Sequence, residues 1–142
     1  ALRFLSEVAG EEAVREFAER RAAFIKQGLD RIAASETDLS PAQVLANVFT
    51  ANGYAASVRE LPLINGHDAG EQLCQQHCPV AHVAQEFPEL CEAETEAIAK
   101  LLGTHVQRLA TIAHGDGVCT THIPPGSSGP GEVSKKKEQV TT

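Results

Sequence analysis

Apolar residues recur at helical spacing along the first third of the chain. They predict a short helix that ends at Gly10, then a second helix over about residues 11–34. Arg21 and Gly28 interrupt the apolar stripe of the second helix. A helix of this length is often a dimerisation element, and packing on its own domain is the alternative. The pattern leaves both interpretations open.

A third helix and a β-hairpin are predicted next. Ser40 is an N-capping residue followed by proline at the first helical position, and Gly53 is typical of a helix end. Residues 54–61 and 71–77 then indicate two strands, which a long, turn-rich loop separates. Together these strands would form a first hairpin.

Two more helices and a second hairpin follow. The first of these helices begins at Pro79 and ends at Pro88, and the other begins around Cys91. Residues 105–113 are predicted to form a strand, which pairs with residues 118–123 across a turn with an Asp-Gly signature. The helices therefore lie between the two hairpins along the chain.

These elements predict an α+β fold, in which a helical dimerisation arm precedes two β-hairpins that form an antiparallel sheet with helices packed on it. The arm covers residues 1–38, the α+β sensor domain covers 39–124, and a tail rich in Pro, Gly, Ser and Lys covers 125–142. The tail has no periodicity and is predicted to be disordered.

Charge and chain ends limit the partners that we expect. The net charge is −7, and the only dense basic run is Lys135–Lys137 in the tail, so the surface is poorly suited to contacting phosphates. No segment approaches ~18 uninterrupted apolar residues, so no membrane span is expected. The chain starts inside a predicted helix without a signal peptide, which favours a fragment of a longer cytoplasmic protein.

Cysteines and one histidine suggest chemistry in the second half of the chain. Cys78, Cys91, His105 and Cys119 have the spacing C-x12-C-x13-H-x13-C, and thiolates with an imidazole are ligands of zinc or of an iron–sulfur cluster. Cys78 and Cys91 lie at or next to predicted helix starts, where backbone N–H groups and the helix dipole stabilise a thiolate. The wide, even spacing favours a cluster, because structural zinc usually binds closely spaced ligand pairs.

His105 is the weakest member of this set. If the second hairpin pairs as predicted, Cys119 lies opposite Ile112, and His105 is then over ~20 Å away along a straight strand. Other candidates for a fourth ligand are His77, His82, His114, Asp116 and Cys74. For each cysteine alone, burial as a small hydrophobic residue is the alternative. No nucleophile–base pair is recognisable, so we do not expect an enzyme.

Three short segments resemble a known family. Cys-Pro at 78–79, Phe-Pro-Glu-Leu-Cys at 87–91 and Cys-Thr-Thr-His-Ile at 119–123 resemble the carboxy-terminal half of SufR-type regulators, above all the actinobacterial type. These are iron–sulfur cluster-sensing transcriptional repressors related to ArsR and DeoR proteins. The resemblance covers about residues 1–124.

The resemblance implies a homodimer that holds a [4Fe-4S] cluster through Cys78, Cys91 and Cys119, with His105 at the fourth motif position. The holo-protein would repress the suf genes of cluster assembly, and iron limitation or oxidation would relieve that repression. DNA operator binding would need an amino-terminal winged helix-turn-helix, which this sequence does not contain. Two other functions stay open: a structural zinc-binding dimerisation domain, and a small-molecule-sensing domain of an ArsR/DeoR-like regulator.

Overall fold

The computed structural model describes residues 1–33 and 38–126. Within them the chain forms an antiparallel four-stranded sheet with helices packed against it, which confirms the predicted α+β class. The elements are α1 (Leu2–Ala9), α2 (Glu11–Ala33), α3 (Pro41–Ala51), β1 (Ala56–Glu60), β2 (Glu71–Gln75), α4 (Ala81–Glu86), α5 (Glu89–Leu102), β3 (Gln107–Ala110), a 3-10 turn (Ile112–His114) and β4 (Cys119–Ile123).

Local signals set the helix boundaries. At α3 the side chain of Ser40 accepts a hydrogen bond from the Gln43 backbone N–H at 3.3 Å, and the Gln43 side chain accepts one from the Ser40 N–H at 2.9 Å. This reciprocal capping box satisfies two otherwise unpaired N–H groups. Gly103 ends α5 in the left-handed conformation, with φ of 64°. The predicted end of α2 at Ala34 and most of the polar break after it lie outside the described residues.

The sheet has the strand order β1-β2-β4-β3, so the two predicted hairpins join through their second strands. β2 pairs with β4 over five residues, from Glu71 opposite Ile123 to Gln75 opposite Cys119. Side chains alternate between the two faces of a strand, and the inner face is the buried one. Leu73, Gln75, Cys119, Thr121 and Ile123 are all buried there.

The second hairpin differs from the prediction of a strand over 105–113 and a tight Asp-Gly turn. β3 is shorter, with a bulge between Arg108 and Ala110, and Ala110 pairs with Thr120. The backbone N–H of Thr111 donates to Asp116 Oδ2 at 3.0 Å, and its carbonyl accepts from the N–H groups of His114 and Asp116. The backbone groups of Thr111 therefore form a compact loop instead of extending the strand.

Two helices also begin at residues other than the predicted ones. α4 begins at Ala81, two residues after the predicted start at Pro79. α5 begins at Glu89, two residues before the predicted start, so Cys91 lies in its first turn rather than at its first residue.

α2 packs on the domain itself. It lies against α5 and α3, and Val14, Ala18, Ala22, Ile25 and Leu29 are at most 3% exposed. Ile25 and Leu29 belong to the same hydrophobic cluster as Leu45, Phe49 and Ile98. The apolar stripe is thus used within the chain, and a role for the first 38 residues in dimerisation stays a prediction.

The glycine that interrupts this stripe lies where α2 and α3 approach each other. A Cβ added at Gly28 would lie 2.6 Å from Val48 Cγ1 and 2.8 Å from Cγ2. Valine is stiff about χ1 in a helix, so its methyl groups cannot rotate away cheaply. Gly28 is therefore required by the packing of the two helices.

We expect Gly28→Ala to destabilise the protein by about 1–3 kcal/mol, the usual cost of overpacking. The higher helix propensity of alanine, worth ~1 kcal/mol, would offset part of this. Urea unfolding measures the difference. Gly117→Ala is the matched control, since a Cβ there meets nothing within 4 Å. The double variant Gly28→Ala/Val48→Ala should lose less unfolding free energy than the two single variants lose together. A Gly28→Ala protein as stable as wild type would contradict the packing argument.

Candidate functional site

Three cysteines from three separate elements lie near one another. Cys78 is in the loop between β2 and α4, Cys91 is in the first turn of α5, and Cys119 begins β4. The sulfur atoms are close enough that charge on Cys78 and on Cys119 raises the pKa of Cys91. All are free thiols; Cys78 and Cys119 are buried and Cys91 is partly buried. The fold thus brings together three of the four residues of the predicted ligand motif.

Backbone N–H groups point at two of these sulfurs. The N–H of Ile112 donates to Cys119 Sγ at 3.0 Å, and the N–H of Val80 forms a hydrogen bond that lowers the pKa of Cys78. Such donors stabilise a thiolate, and they can also donate to the sulfur atoms of a bound cluster. The supporting N–H groups come from the residues after Cys78 and from the 111–118 loop.

Burial nevertheless raises the pKa of Cys78 and of Cys91, so these two thiols stay protonated at neutral pH. Desolvation is the largest cause of the raised pKa of Cys78, and it outweighs the Val80 hydrogen bond. For Cys91, desolvation raises the pKa to about 11, although the nearby Arg108 guanidinium lowers it. Binding of a metal ion or cluster must therefore displace protons from these cysteines.

A buried carboxylate lies next to the cysteines. Glu94 on α5 is 3% exposed, and its Oε1 accepts hydrogen bonds from Arg21 Nη1 at 2.7 Å and from the Tyr54 hydroxyl. Arg21 Nη2 also donates to the Tyr54 oxygen at 2.9 Å. Burial and the Glu94 charge hold the pKa of Tyr54 well above its ordinary value. The arginine that interrupts the apolar stripe of α2 thus compensates a buried charge.

A second arginine approaches the same carboxylate less closely. Arg108 Nη2 on β3 lies 3.9 Å from Glu94 Oε2, and the Arg108 side chain is 10% exposed. Among the described residues, Arg108 Nε and Nη2 are buried without a hydrogen-bond partner, and so are Thr111 Oγ1, Thr121 Oγ1 and Gln75 Nε2. Each buried unpaired group costs about 1–3 kcal/mol.

These unpaired polar atoms surround one end of β4. Thr121 pairs with Arg108 across the β3–β4 ladder, and Gln75 pairs with Cys119 across the β2–β4 ladder. The inner face of the sheet at this end therefore offers hydrogen-bond donors beside the cysteines. These donors lie on the same face of the sheet as Cys119.

The structure does not bring His105 to the three cysteines. His105 is exposed and precedes β3, at the end of the ladder where Gln107 pairs with His122. Cys119 lies at the other end, three residues along β4 from His122, a distance of ~10 Å. This placement agrees with the strand geometry that already made His105 the weakest candidate.

Other candidates line two clefts that flank the 111–118 loop. One cleft, of about 500 Å³, contains Cys91, Arg108 and His114, and the other, of about 360 Å³, contains Cys78, His77 and His82. Asp116 lines both clefts. Cys74 follows the buried Leu73 and precedes the buried Gln75 on β2, so it faces the opposite side of the sheet.

A single metal ion and an iron–sulfur cluster require different ligand geometries. Within residues 1–33 and 38–126, no three His, Cys, Asp or Glu side chains are arranged to hold one metal ion. Structural zinc requires four ligands at about 2.0–2.3 Å from one centre. An iron–sulfur cluster presents several iron atoms, each to its own cysteine. Among the described residues, Cys78, Cys91 and Cys119 are therefore not arranged as ligands of one zinc ion.

Sequence reasoning missed Glu94, Arg108 and Tyr54. The signal that could have pointed to them is Arg21. A charged residue on the buried stripe of a helix requires a buried partner. The comparisons with known proteins add no assignment: no family model, no curated protein and no solved structure matches the chain. No helix in the described part of the chain is long and apolar enough to cross a membrane.

Raising the pH of the metal-free protein is expected to lower its free energy of unfolding. Cys91 keeps its proton up to a pKa of about 11 in the folded protein, whereas an unperturbed thiol ionises near ~8.5. Above the lower value the unfolded state has lost a proton that the folded state retains. The contribution of Cys91 to the free energy of unfolding is therefore fully present below the pKa of the unfolded state. It is lost as the pH rises through the pKa of the folded state.

Urea unfolding at a series of pH values measures this dependence. Cys91→Ala should make the slope of the curve smaller between about pH 8.5 and pH 10, below the range in which an unperturbed tyrosine ionises. Part of the slope remains in this variant, because burial also raises the pKa of Cys78. Tyr54→Phe is the control for the tyrosine contribution, which adds to the loss only at higher pH. Equal slopes for wild type and Cys91→Ala in the lower range would contradict a raised pKa at Cys91.

Proposed function

We propose that this chain is the sensor region of a transcriptional repressor and binds an iron–sulfur cluster through Cys78, Cys91 and Cys119. The observation that carries the proposal is the proximity of these three free thiols, which come from three elements that are distant in sequence. The resemblance of their spacing to SufR-type regulators points to a [4Fe-4S] cluster and to the suf genes as targets. Both assignments rest on that resemblance.

Two of the three cysteines adjoin loops, and the third lies in the first turn of α5. Cys78 belongs to the segment before α4, and Cys119 follows the 111–118 loop. Ligation would hold both segments against the first turn of α5, so binding free energy would contribute to folding there. The fraction of protein that carries a cluster would change with iron supply and with oxidants. The cysteine on α5 would be linked to α2 through the fold, since α5 packs directly on α2.

The proposed function requires that the chain form a homodimer. Apolar side chains on three neighbouring helices remain exposed: Phe4 (67%), Val8 (62%), Phe17 (43%) and Val83 (42%). A second copy that covers this face would place α1 and α2 at the interface. Order at the cysteines could then change the dimer geometry through α2 and α5, and with it the spacing of two winged helices outside this sequence.

A second candidate function is supported by one of the clefts. The cleft between α5 and β3 has a volume of about 500 Å³, which lies within the usual range for small-molecule sites. In that case the domain would sense an organic ligand, and the cysteines would be buried residues of the core. Retained folding after replacement of all three cysteines would favour this function.

Anaerobic reconstitution of the full 142-residue chain with iron and sulfide tests the proposal. We expect a broad visible absorbance band, with iron and acid-labile sulfide in comparable amounts. Cys78→Ser, Cys91→Ser and Cys119→Ser should each lose most of the bound iron, because each removes one thiolate ligand. Cys74→Ser is the matched control and should bind as wild type, since Cys74 faces the other side of the sheet.

Metal analysis of the purified protein separates the alternatives. A colourless protein with one bound zinc and no sulfide would overturn the cluster proposal in favour of a structural zinc domain. A protein that takes up neither metal, and whose triple cysteine variant folds normally, would favour the small-molecule sensor. His105→Ala tests the fourth motif position, and from its placement we expect unchanged iron content.

A further inference from the structure

Arg108 is a buried cation with unused hydrogen-bond donors beside the cysteines. Its side chain is 10% exposed, and its Nε and Nη2 lack hydrogen-bond partners among the described residues. It lines the same cleft as Cys91, and its charge acts on the Cys91 thiol. Arginine retains its charge at any ordinary pH, so this buried group cannot become neutral to avoid the cost.

The nearest carboxylate does not account for Arg108. Glu94 Oε1 already accepts hydrogen bonds from Arg21 and from the Tyr54 hydroxyl. Glu94 Oε2 lies 3.9 Å from Arg108 Nη2, beyond hydrogen-bond distance. Two guanidinium groups therefore share one carboxylate, and the Nε and Nη2 donors of Arg108 stay without a partner among the described residues.

A group bound by Cys78, Cys91 and Cys119 would lie beside the cleft that Arg108 and Cys91 line together. Guanidinium N–H groups form strong charge-assisted hydrogen bonds to anions, and the planar fork of arginine can donate two at once. Arg108, with its unused donors, thus lines the cleft in which Cys91 would hold part of such a group.

We propose that Arg108 is a positioning residue of the cluster site, which donates N–H groups to the Cys91 thiolate or to a sulfide of the bound cluster. This inference rests on the proposed function of the three cysteines. Hydrogen bonds and positive charge at the sulfurs favour the more negative, reduced form of a cluster, so Arg108 raises its reduction potential. It also stabilises the bound state, as outer partners of metal ligands do.

Arg108→Gln and Arg108→Lys in the full chain test the proposal after anaerobic reconstitution. We expect the glutamine variant to lose iron to a chelator ~10–100-fold faster than wild type, the usual effect of removing an outer partner. Its reduction potential should become more negative. The lysine variant keeps the positive charge but lacks the planar guanidinium group. Its rate of iron loss and its reduction potential should lie between those of wild type and the glutamine variant. Arg15→Gln is the matched control, because Arg15 pairs with Glu92 next to Cys91 but is half exposed.

The stability of the metal-free variants separates this role from a structural one. If Arg108 served only to compensate Glu94, Arg108→Gln would destabilise the metal-free protein. Because its donors are unused there, we expect the metal-free variant to be at least as stable as wild type in urea. A variant that is less stable, or that matches wild type in both chelation rate and potential, would overturn the inference.

The two proposals fail in different ways. If wild type holds a cluster that Cys91→Ser loses while Arg108→Gln retains it with an unchanged potential, only the role of Arg108 is wrong. If wild type takes up no iron and sulfide, the proposed function is wrong and the inference falls with it.

Discussion

The buried carboxylate of Glu94 is the constraint that links the parts of this fold. An isolated carboxylate in a protein interior is unstable unless cations and hydrogen-bond donors surround it. Here Arg21 from α2 and Tyr54 from the segment before β1 donate to it. The packing of α2 on α5 therefore depends on a polar contact as well as on aliphatic side chains.

The same charges set the conditions under which the cysteines can act as ligands. Desolvation favours neutral thiols at Cys78 and Cys91, and the negative charge of Glu94 raises the pKa of both cysteines further. Arg108 and the backbone N–H groups near the sulfurs act in the opposite direction. A thiolate-bound group would thus bind in exchange for protons, and its affinity would rise with pH until the thiols ionise unaided.

The three cysteines lie on one helix and beside two loops. Cys91 lies on α5, whose Ile98 and Leu102 are fully buried. Cys78 and Cys119 adjoin the segment before α4 and the 111–118 loop, where Asp116 and the backbone of Thr111 provide the internal hydrogen bonds. Changes at Cys78 or Cys119 would therefore act on these loops, and α5, which carries Cys91, is the helix in contact with α2.

The sequence by itself determined the elements whose signals are local. The Ser40 capping box, the glycine at position 103 and the apolar stripe of α2 act within a few residues, so the helices and the α+β class were predictable. The proximity of Cys78, Cys91 and Cys119 was expected from residue type and spacing. Only the tertiary structure decided that β3 ends early, because Asp116 closes a loop that pattern alone could not show. The tertiary structure also explains why Arg21 and Gly28 interrupt a buried stripe. Arg21 compensates a buried charge and Gly28 allows a close helix contact, and both depend on residues far away in sequence.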